Sequence, residues 1–425
     1  MKRVAGLVLL FCFISLAAYA EEITLSFNEA VAIGLRDNRE ILIKAEDVKK
    51  AKFAISSAQA GIFPTVDFTY NWFYTSGLYT KNIQEHTSQL SIRQYLYRGG
   101  LVVNSIKYSQ YQMEVTQAIL DKTKLEMIFN FSRAYYTLKL ANSFVQLNQA
   151  ILENSRQHLE HIEALYQKGQ ASQTDILQAQ AALANVEQAY VASKSQAQSA
   201  AALLNNLLAL DKDILISPST ELKYLPKDVA FEEGFLKAMQ NRPEIKQLQS
   251  QLKADQSAVK VAAAGGRPSI YASWDYYGRS KGSPTTTVNT RDWNDYNVAG
   301  ITFSWPIFDG WQTKALVEQA LVDLKRTQLG QAKLSGDIAL EVKDTYLSLK
   351  SAIEQINASQ ADITLYKNNL ETAKARYTQG LISSLADDDA GLKYKVASFN
   401  QEQAIYDYVI AKFNFDKATG GFDEI

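Results

Sequence analysis

A single cysteine in 425 residues, Cys12, excludes a disulfide framework, and three histidines add little from which to build a metal centre. His158 and His161 are three apart in a helical stretch, but without thiolates they do not complete a ligand set, so no metal or cofactor is expected. The 44 basic and 45 acidic residues leave no cationic excess for nucleic acid. After the first twenty residues no run reaches the ~18 consecutive apolar residues of a spanning helix, so the chain could cross a membrane only as strands. A Gly-rich phosphate loop, a nucleophile elbow and a catalytic acid pair in structural context are also missing, which points away from an enzyme.

Proline is scarce and unevenly placed. All seven, Pro64, Pro218, Pro226, Pro243, Pro268, Pro284 and Pro306, avoid 101–165, 173–210 and 312–418. A proline inside a helix costs ~3 kcal/mol, so these spans can be unbroken helices, the first on the order of 100 Å long. Residues 1–20 differ from the rest: Lys2 and Arg3, an apolar run over 4–16, then Ala18-Tyr19-Ala20 have the form of a secretory signal. The mature chain would begin at Glu21 without cysteine and with a net charge of about −3, which suits a bacterial periplasmic or outer-membrane protein.

What is abundant is a seven-residue apolar repeat. Val342, Leu349, Ile356, Ile363, Leu370 and Tyr377 recur at that spacing, and Leu385, Leu392, Phe399, Tyr406 and Phe413 do so after a turn at 377–383. This is the 3.5-per-turn seam of a coiled-coil hairpin, with Gly380 suited to end one helix and Ser383 to cap the next. Leu138, Val145, Leu152, Leu159 and Tyr166 match the rising seam at an offset of 211, as Gly169 and Ser172 match Gly380 and Ser383. The chain is therefore a tandem duplication, 21–220 and 221–425, with tip turns at 166–175 and 377–389.

Within each half, a short amphipathic helix (27–35 and 231–239) and a longer one lead to Pro64 and Pro268, where the period changes from helical to two. Val66, Phe68, Tyr70, Trp72 and Tyr74 share one face of a strand over about 64–75, and a second strand covers about 87–97. The other half places strands at about 268–278 and 294–306, joined, like the first pair, by a polar loop. One apolar aromatic face and one polar face in segments of about ten residues is the pattern of transmembrane barrel strands. Four strands cannot close a barrel in lipid, so two chains would share eight strands or three chains twelve. A soluble alternative is a periplasmic coiled-coil adaptor or scaffold, but the aromatic strand faces would be hard to keep in water.

This order of helix, Pro-led strand pair, Gly-marked exit at Arg98-Gly99-Gly100 and Asp309-Gly310, long helix and Tyr-x-x-Gly-x-x-Ser tip, occurring twice, resembles TolC-type outer-membrane efflux proteins. The resemblance implies a mainly α fold with a β-barrel contribution: a homotrimer with a twelve-stranded barrel on a periplasmic α-helical tunnel. It implies a passive exit duct served by a periplasmic adaptor and an inner-membrane transporter, either an efflux pump or a type I secretion system, with outer-membrane lipid around the barrel. It also implies a periplasmic gate, in which Tyr377, Thr174 and Asp175 match polar gate positions and Asp389 matches a ring aspartate.

The second ring position falls at Ala386, with Asp387 one place away, and Ile382 stands where some members carry a locking arginine. Carboxylates in a first helical turn are favoured by the dipole, but three adjacent ones repel, so Asp387, Asp388 and Asp389 are expected to form a selectivity ring. At the tips, Gly169, Gly380 and Ser383 have turn chemistry, while Leu381 and Ile382 are apolar residues at an exposed end and suggest an adaptor-docking surface. Gln170 and Ala171 occupy their places in the first repeat, so the two tips should dock unequally.

Overall fold

The computed structural model describes residues 22–78, 81–211, 214–226, 230–282 and 293–422. The signal segment with Cys12 and most of the second strand loop lie outside the described residues. Packing divides the chain into two compact units, Met1–Asn38, Ile128–Leu225 and Ser351–Ala411 forming one, and Arg39–Met127, Pro226–Lys350 and Lys412–Ile425 the other. Each unit takes segments from both repeats, because the long helices α3 (Leu101–Gln167) and α7 (Gln312–Thr378) contribute residues to both.

The second of these units holds an antiparallel sheet in the order β2 (Thr65–Leu78), β3 (Lys81–Arg98), β5 (Ser269–Gly282), β6 (Asn294–Ser304). Helices α2 (Arg39–Gln59) and α6 (Pro243–Ala263) each end in a short 3-10 turn just ahead of Pro64 and Pro268. Val66 pairs with Ile92 and Phe68 with Leu90; Ile92 in turn pairs with Trp274, Leu90 with Tyr276, Ala272 with Ile301, and Ile270 with Phe303. These apolar residues, drawn from all four strands, therefore fall on one face, as their alternation predicts. On the opposite face Gln89 donates to Asp275 and to the Tyr277 hydroxyl, both at 3.1 Å, and Ser91 also donates to Asp275.

β2, β3 and β5 are longer than predicted, while β6 ends at Ser304, two residues early. β2 and β3 run on through residues read as a polar loop, 75–86, leaving only 79–80 between them. The added pairing is polar: Glu85 forms an ion pair with Arg279, and the Tyr70 hydroxyl lies 2.7 Å from His86 Nδ1. Cross-strand polar pairs extend a ladder without any apolar alternation to announce it.

The other unit contains α1 (Phe27–Asp37), α4 (Gln173–Leu207), much of α3, the distal part of α7, and most of α8 (Ser384–Ala418). It also holds a pair that the sequence does not announce, β1 (Glu22–Leu25) parallel to β4 (Leu215–Pro218). Four residues are too few to show a period, and one of these strands ends in proline. Tyr135 on α3, fully buried, fixes the pair: its hydroxyl donates to Leu25 O at 2.8 Å and accepts from Thr220 N–H at 3.0 Å. Between α3 and α8, Phe144 and Phe399 rings lie 5.2 Å apart and Ser143 donates to Glu402 at 2.8 Å.

Two matching helix ends, α4 and α8, carry the duplication into backbone detail. In each the second residue after the end adopts positive φ, Ala209 at 55° and Gly420 at 90°. In each the next N–H reaches back five residues, Leu210 to Asn205 O and Gly421 to Asp416 O. This is a Schellman closure, which favours glycine. A Cβ on Gly420 would lie 2.9 Å from Arg242 N, so Gly420→Ala should cost about 2 kcal/mol, from both φ and contact. Ala209→Gly relieves the same strain and should leave the thermal midpoint unchanged or higher; a fall in that midpoint would overturn this account.

The remaining α5 (Phe231–Asn241) precedes Pro243, which opens α6 at its first position, where the missing N–H does no harm.

Candidate functional site

The two tips are built alike and finished differently. Gly169 and Gly380 both sit at φ 72°, and the following N–H groups, of Gln170 and Leu381, bond back to Leu165 O and Arg376 O. Both long helices therefore end in the closure expected of a glycine just past the last turn. The returning helices start on Ser172 and Ser383, whose hydroxyls accept from Asp175 N–H at 3.2 Å and Ala386 N–H at 3.3 Å.

Here the repeats diverge. Asp175 completes a capping box by accepting from Ser172 N–H at 2.7 Å and from its hydroxyl at 2.8 Å. Ala386, its counterpart, has no side-chain acceptor to return the bond. Asp175, placed at the gate by resemblance, is thus also the cap of α4. The backbone and hydroxyl bonds from Ser172 hold its carboxyl below the ordinary aspartate value. A depressed carboxyl contributes stability that is complete above the unfolded value, about 3.9, and is lost as pH falls through the folded one. The protection of the 173–176 amides, measured as exchange relative to the intrinsic rate at each pH, should therefore fall on acidification below about pH 4, and Asp175→Asn should remove that dependence. Equal pH responses in the two proteins would show that the cap is not carried by the carboxylate.

Thr174 is exposed in the first turn of α4 and Tyr377 in the last turn of α7. Asp387 is half-buried in the first turn of α8, one of its oxygens shielded without a hydrogen-bond partner among the described residues. Asp388 and Asp389 are exposed. Leu381 is 63% exposed and Ile382 half-buried, against exposed Gln170 and half-buried Ala171 in the first tip. Thus each tip gathers a glycine closure, a serine cap and a flanking tyrosine, while the acidic run and the apolar pair belong to the second alone.

One polar constellation escaped the sequence reading. Arg242, buried between α5 and α6, donates through Nε and Nη2 to the two oxygens of Glu244 at 3.2 and 2.9 Å, and through Nη1 to Glu341 of α7 at 2.6 Å. Nη1 also lies 3.5 Å from Ala418 O, at the end of α8. Lys122 and Lys417 extend the network at 3.8 Å from Glu244 and 3.9 Å from Glu341. One guanidinium thus joins the N-terminus of α6, the middle of α7 and the last turn of α8, as only a planar fork of donors can. In the first repeat the matching residue, Asn38, donates to Leu207 O at 2.8 Å, the same helix-end contact without the ion pairs. The sequence shows only a charge directly before a Pro-led helix at an internal-repeat position, and its partner Glu341 lies 99 residues away.

A family profile described as "Outer membrane efflux protein" matches residues 34–210 and 236–421. The outer membrane protein TolC of Vibrio cholerae is 20% identical over 424 residues, covering 97% of this chain and 93% of that one. TolC of Escherichia coli is 22% identical, covering 91% and 80%. Among solved structures, the Campylobacter jejuni CmeC outer membrane channel superposes with a TM-score of 0.77 at 18% identity, covering 93% of this chain and 85% of that one. The open state of the Neisseria gonorrhoeae MtrE outer membrane channel gives 0.75 at 17% identity, with 93% and 89% covered. The profile spans most of both repeats, and the fold agrees from the strand pairs to the tips. The chain belongs to the outer membrane efflux protein family.

Proposed function

We propose that three copies of this chain close one twelve-stranded barrel in the outer membrane, continue it as a periplasmic helical tunnel, and act as the passive exit duct of an efflux or type I secretion system. The observation that carries this is the four-stranded sheet. Its outer strands β2 and β6 each have one side unpaired among the described residues, and its apolar face is open, with Phe68 and Ile301 70% and 73% exposed. Unpaired backbone edges are not tolerated in lipid, and each such side chain gains about 1.5–3 kcal/mol on leaving water. Repetition of the chain supplies the missing edges and lipid covers the face. An adaptor without a barrel would satisfy neither, and the family match sets that alternative aside.

In this duct Asp387, Asp388 and Asp389, with Tyr377, Thr174 and Asp175, line the periplasmic gate, and the tips meet a periplasmic adaptor that links the duct to an inner-membrane transporter, the first shaped by Gly169 and the second presenting Leu381 and Ile382 between Gly380 and Ser383. The test is the protein-only mass of the chain extracted from membranes, with detergent subtracted. Three chains that need detergent support the duct; a monomer or dimer released by buffer alone overturns it. A photo-crosslinker at Leu381 should capture a periplasmic protein more strongly than one at Gln170, and equal capture would remove the docking role from the apolar pair.

A further inference from the structure

The polar face of the four-stranded sheet carries a column of cations and aromatic rings. On β3, Arg93 pairs with Ser273, Tyr95 with Tyr271 and Arg98 with Ser269 of β5, so these residues share the face of Asp275, opposite Ile270 and Ala272. A register shift between Tyr95 and Tyr97 keeps Arg98 on that face. The Arg98 guanidinium lies 4.6 Å from the centre of the Tyr95 ring, the Tyr95 and Tyr271 rings are 5.5 Å apart, and the Arg93 guanidinium is 5.1 Å from Tyr271. The order is cation, ring, ring, cation, over roughly 15 Å of strand. Because β3 and β5 are the two central strands, each chain holds a whole column without help from another copy.

The arginines are not tied up by acids. Both are exposed, and among the described residues neither forms an ion pair. Asp275, one row away, is occupied by neutral donors, Gln89 at 3.1 Å and Ser91. Nor does the turn into the helix require them. Both strand exits turn through two consecutive residues of positive φ, Gly99 and Gly100 in the first repeat, Gly310 and Trp311 in the second. At the offset of 211, however, Ser304 and Asp309 stand where Arg93 and Arg98 do. A guanidinium set over a ring keeps a planar fork of N–H groups for an oxyanion, and the ring beside it offers a stacking surface.

We propose that this column is a binding site for aromatic anions where the barrel meets the helical tunnel, the arginines taking a carboxylate or sulfonate and the tyrosine rings the aromatic body. The site rests on the duct described above, which turns this face to the lumen and gives three equivalent sites per trimer. Each is a track on the wall, bounded on its outer side by the row that carries Asp67 and Asp275. Its charge is opposite to that of the acidic run at the second tip, so it acts on solutes that have already passed the gate.

The test uses the whole chain, assembled in phosphatidylcholine nanodiscs, with equilibrium dialysis against naphthalene-2-sulfonate and against butane-1-sulfonate, and empty nanodiscs as the blank. The aromatic sulfonate should bind with a stoichiometry of one per chain, and the aliphatic one more weakly by about fivefold or more. Arg93→Gln/Arg98→Gln, at two exposed positions, should keep the trimer mass and weaken the aromatic sulfonate by about tenfold or more. Tyr95→Leu/Tyr271→Leu should erase the preference for the aromatic ligand while the arginines still hold both sulfonates weakly. A trimer that binds no sulfonate, or one whose binding survives the arginine changes, would overturn the site and leave the duct intact. Equal binding of the two sulfonates by the unaltered chain would reduce the column to general anion attraction and overturn the aromatic specificity. A chain that forms no trimer would overturn the duct and the site together.

Discussion

Arg242→Met should lower the stability of the folded chain by about 3–5 kcal/mol, the cost of leaving a buried ion-pair partner without its counter-charge. Most of that loss falls on Glu244, whose side chain is 15% exposed, because Glu341 at 37% retains water. Burial pushes the Glu244 carboxyl up, but the hydrogen bond and charge of Arg242, helped by Lys122, bring it net below its ordinary value of 4.5. A depressed carboxyl contributes stability that is complete above that value and fades as pH falls through the folded one. The gap between wild type and Arg242→Met should therefore be full at pH 7 and narrow below about pH 4. The check is the thermal midpoint of the detergent-solubilised protein, with Arg242→Met/Glu244→Met/Glu341→Leu as the control. Replacing all three charges by apolar groups should recover much of the loss, since the desolvation cost disappears with them. A single variant as stable as wild type would show that the network is not structural.

Asp387→Ala/Asp388→Ala/Asp389→Ala should abolish cation preference in single-channel recordings and weaken block by divalent cations by more than about tenfold. A divalent ion about 5 Å from one carboxylate in water gains roughly 1.7 kcal/mol before screening. Screening at ordinary ionic strength removes about half of that, yet three chains supply several carboxylates, and 1.4 kcal/mol already corresponds to a factor of ten. The triple variant should keep its trimer mass, because Asp388 and Asp389 are exposed and Ser383 still caps α8. An unchanged conductance ratio would move the ring elsewhere in the tunnel.

The long helices were legible because their cause is local and repeated. A seam such as Val342, Leu349 and Ile356, buried along α7, announces itself at every seventh residue. The tip turns were legible because glycine and serine are required there by backbone geometry, and the strand faces because alternation at period two has one meaning when both faces are sampled. Less was legible where partners are distant in sequence. The β3 extension depends on Glu85 meeting Arg279, and the β1–β4 pair on a tyrosine hydroxyl 110 residues from Leu25. The proposed gate positions Tyr377, Thr174, Asp175 and Asp389 were read through resemblance, and only the structure adds that Asp175 is occupied as a helix cap.

By itself the sequence determined the duplication, the order of the helices and of the strands in the four-stranded sheet, and the tip chemistry, because each follows from spacing and residue type along one dimension. Tertiary structure alone decided which polar groups meet. Arg242 became the joint of three helices, Ala209 and Gly420 became matching closures under different strain, and Trp311 took a backbone that favours glycine. These depend on contacts that folding creates, and no period in the chain encodes them.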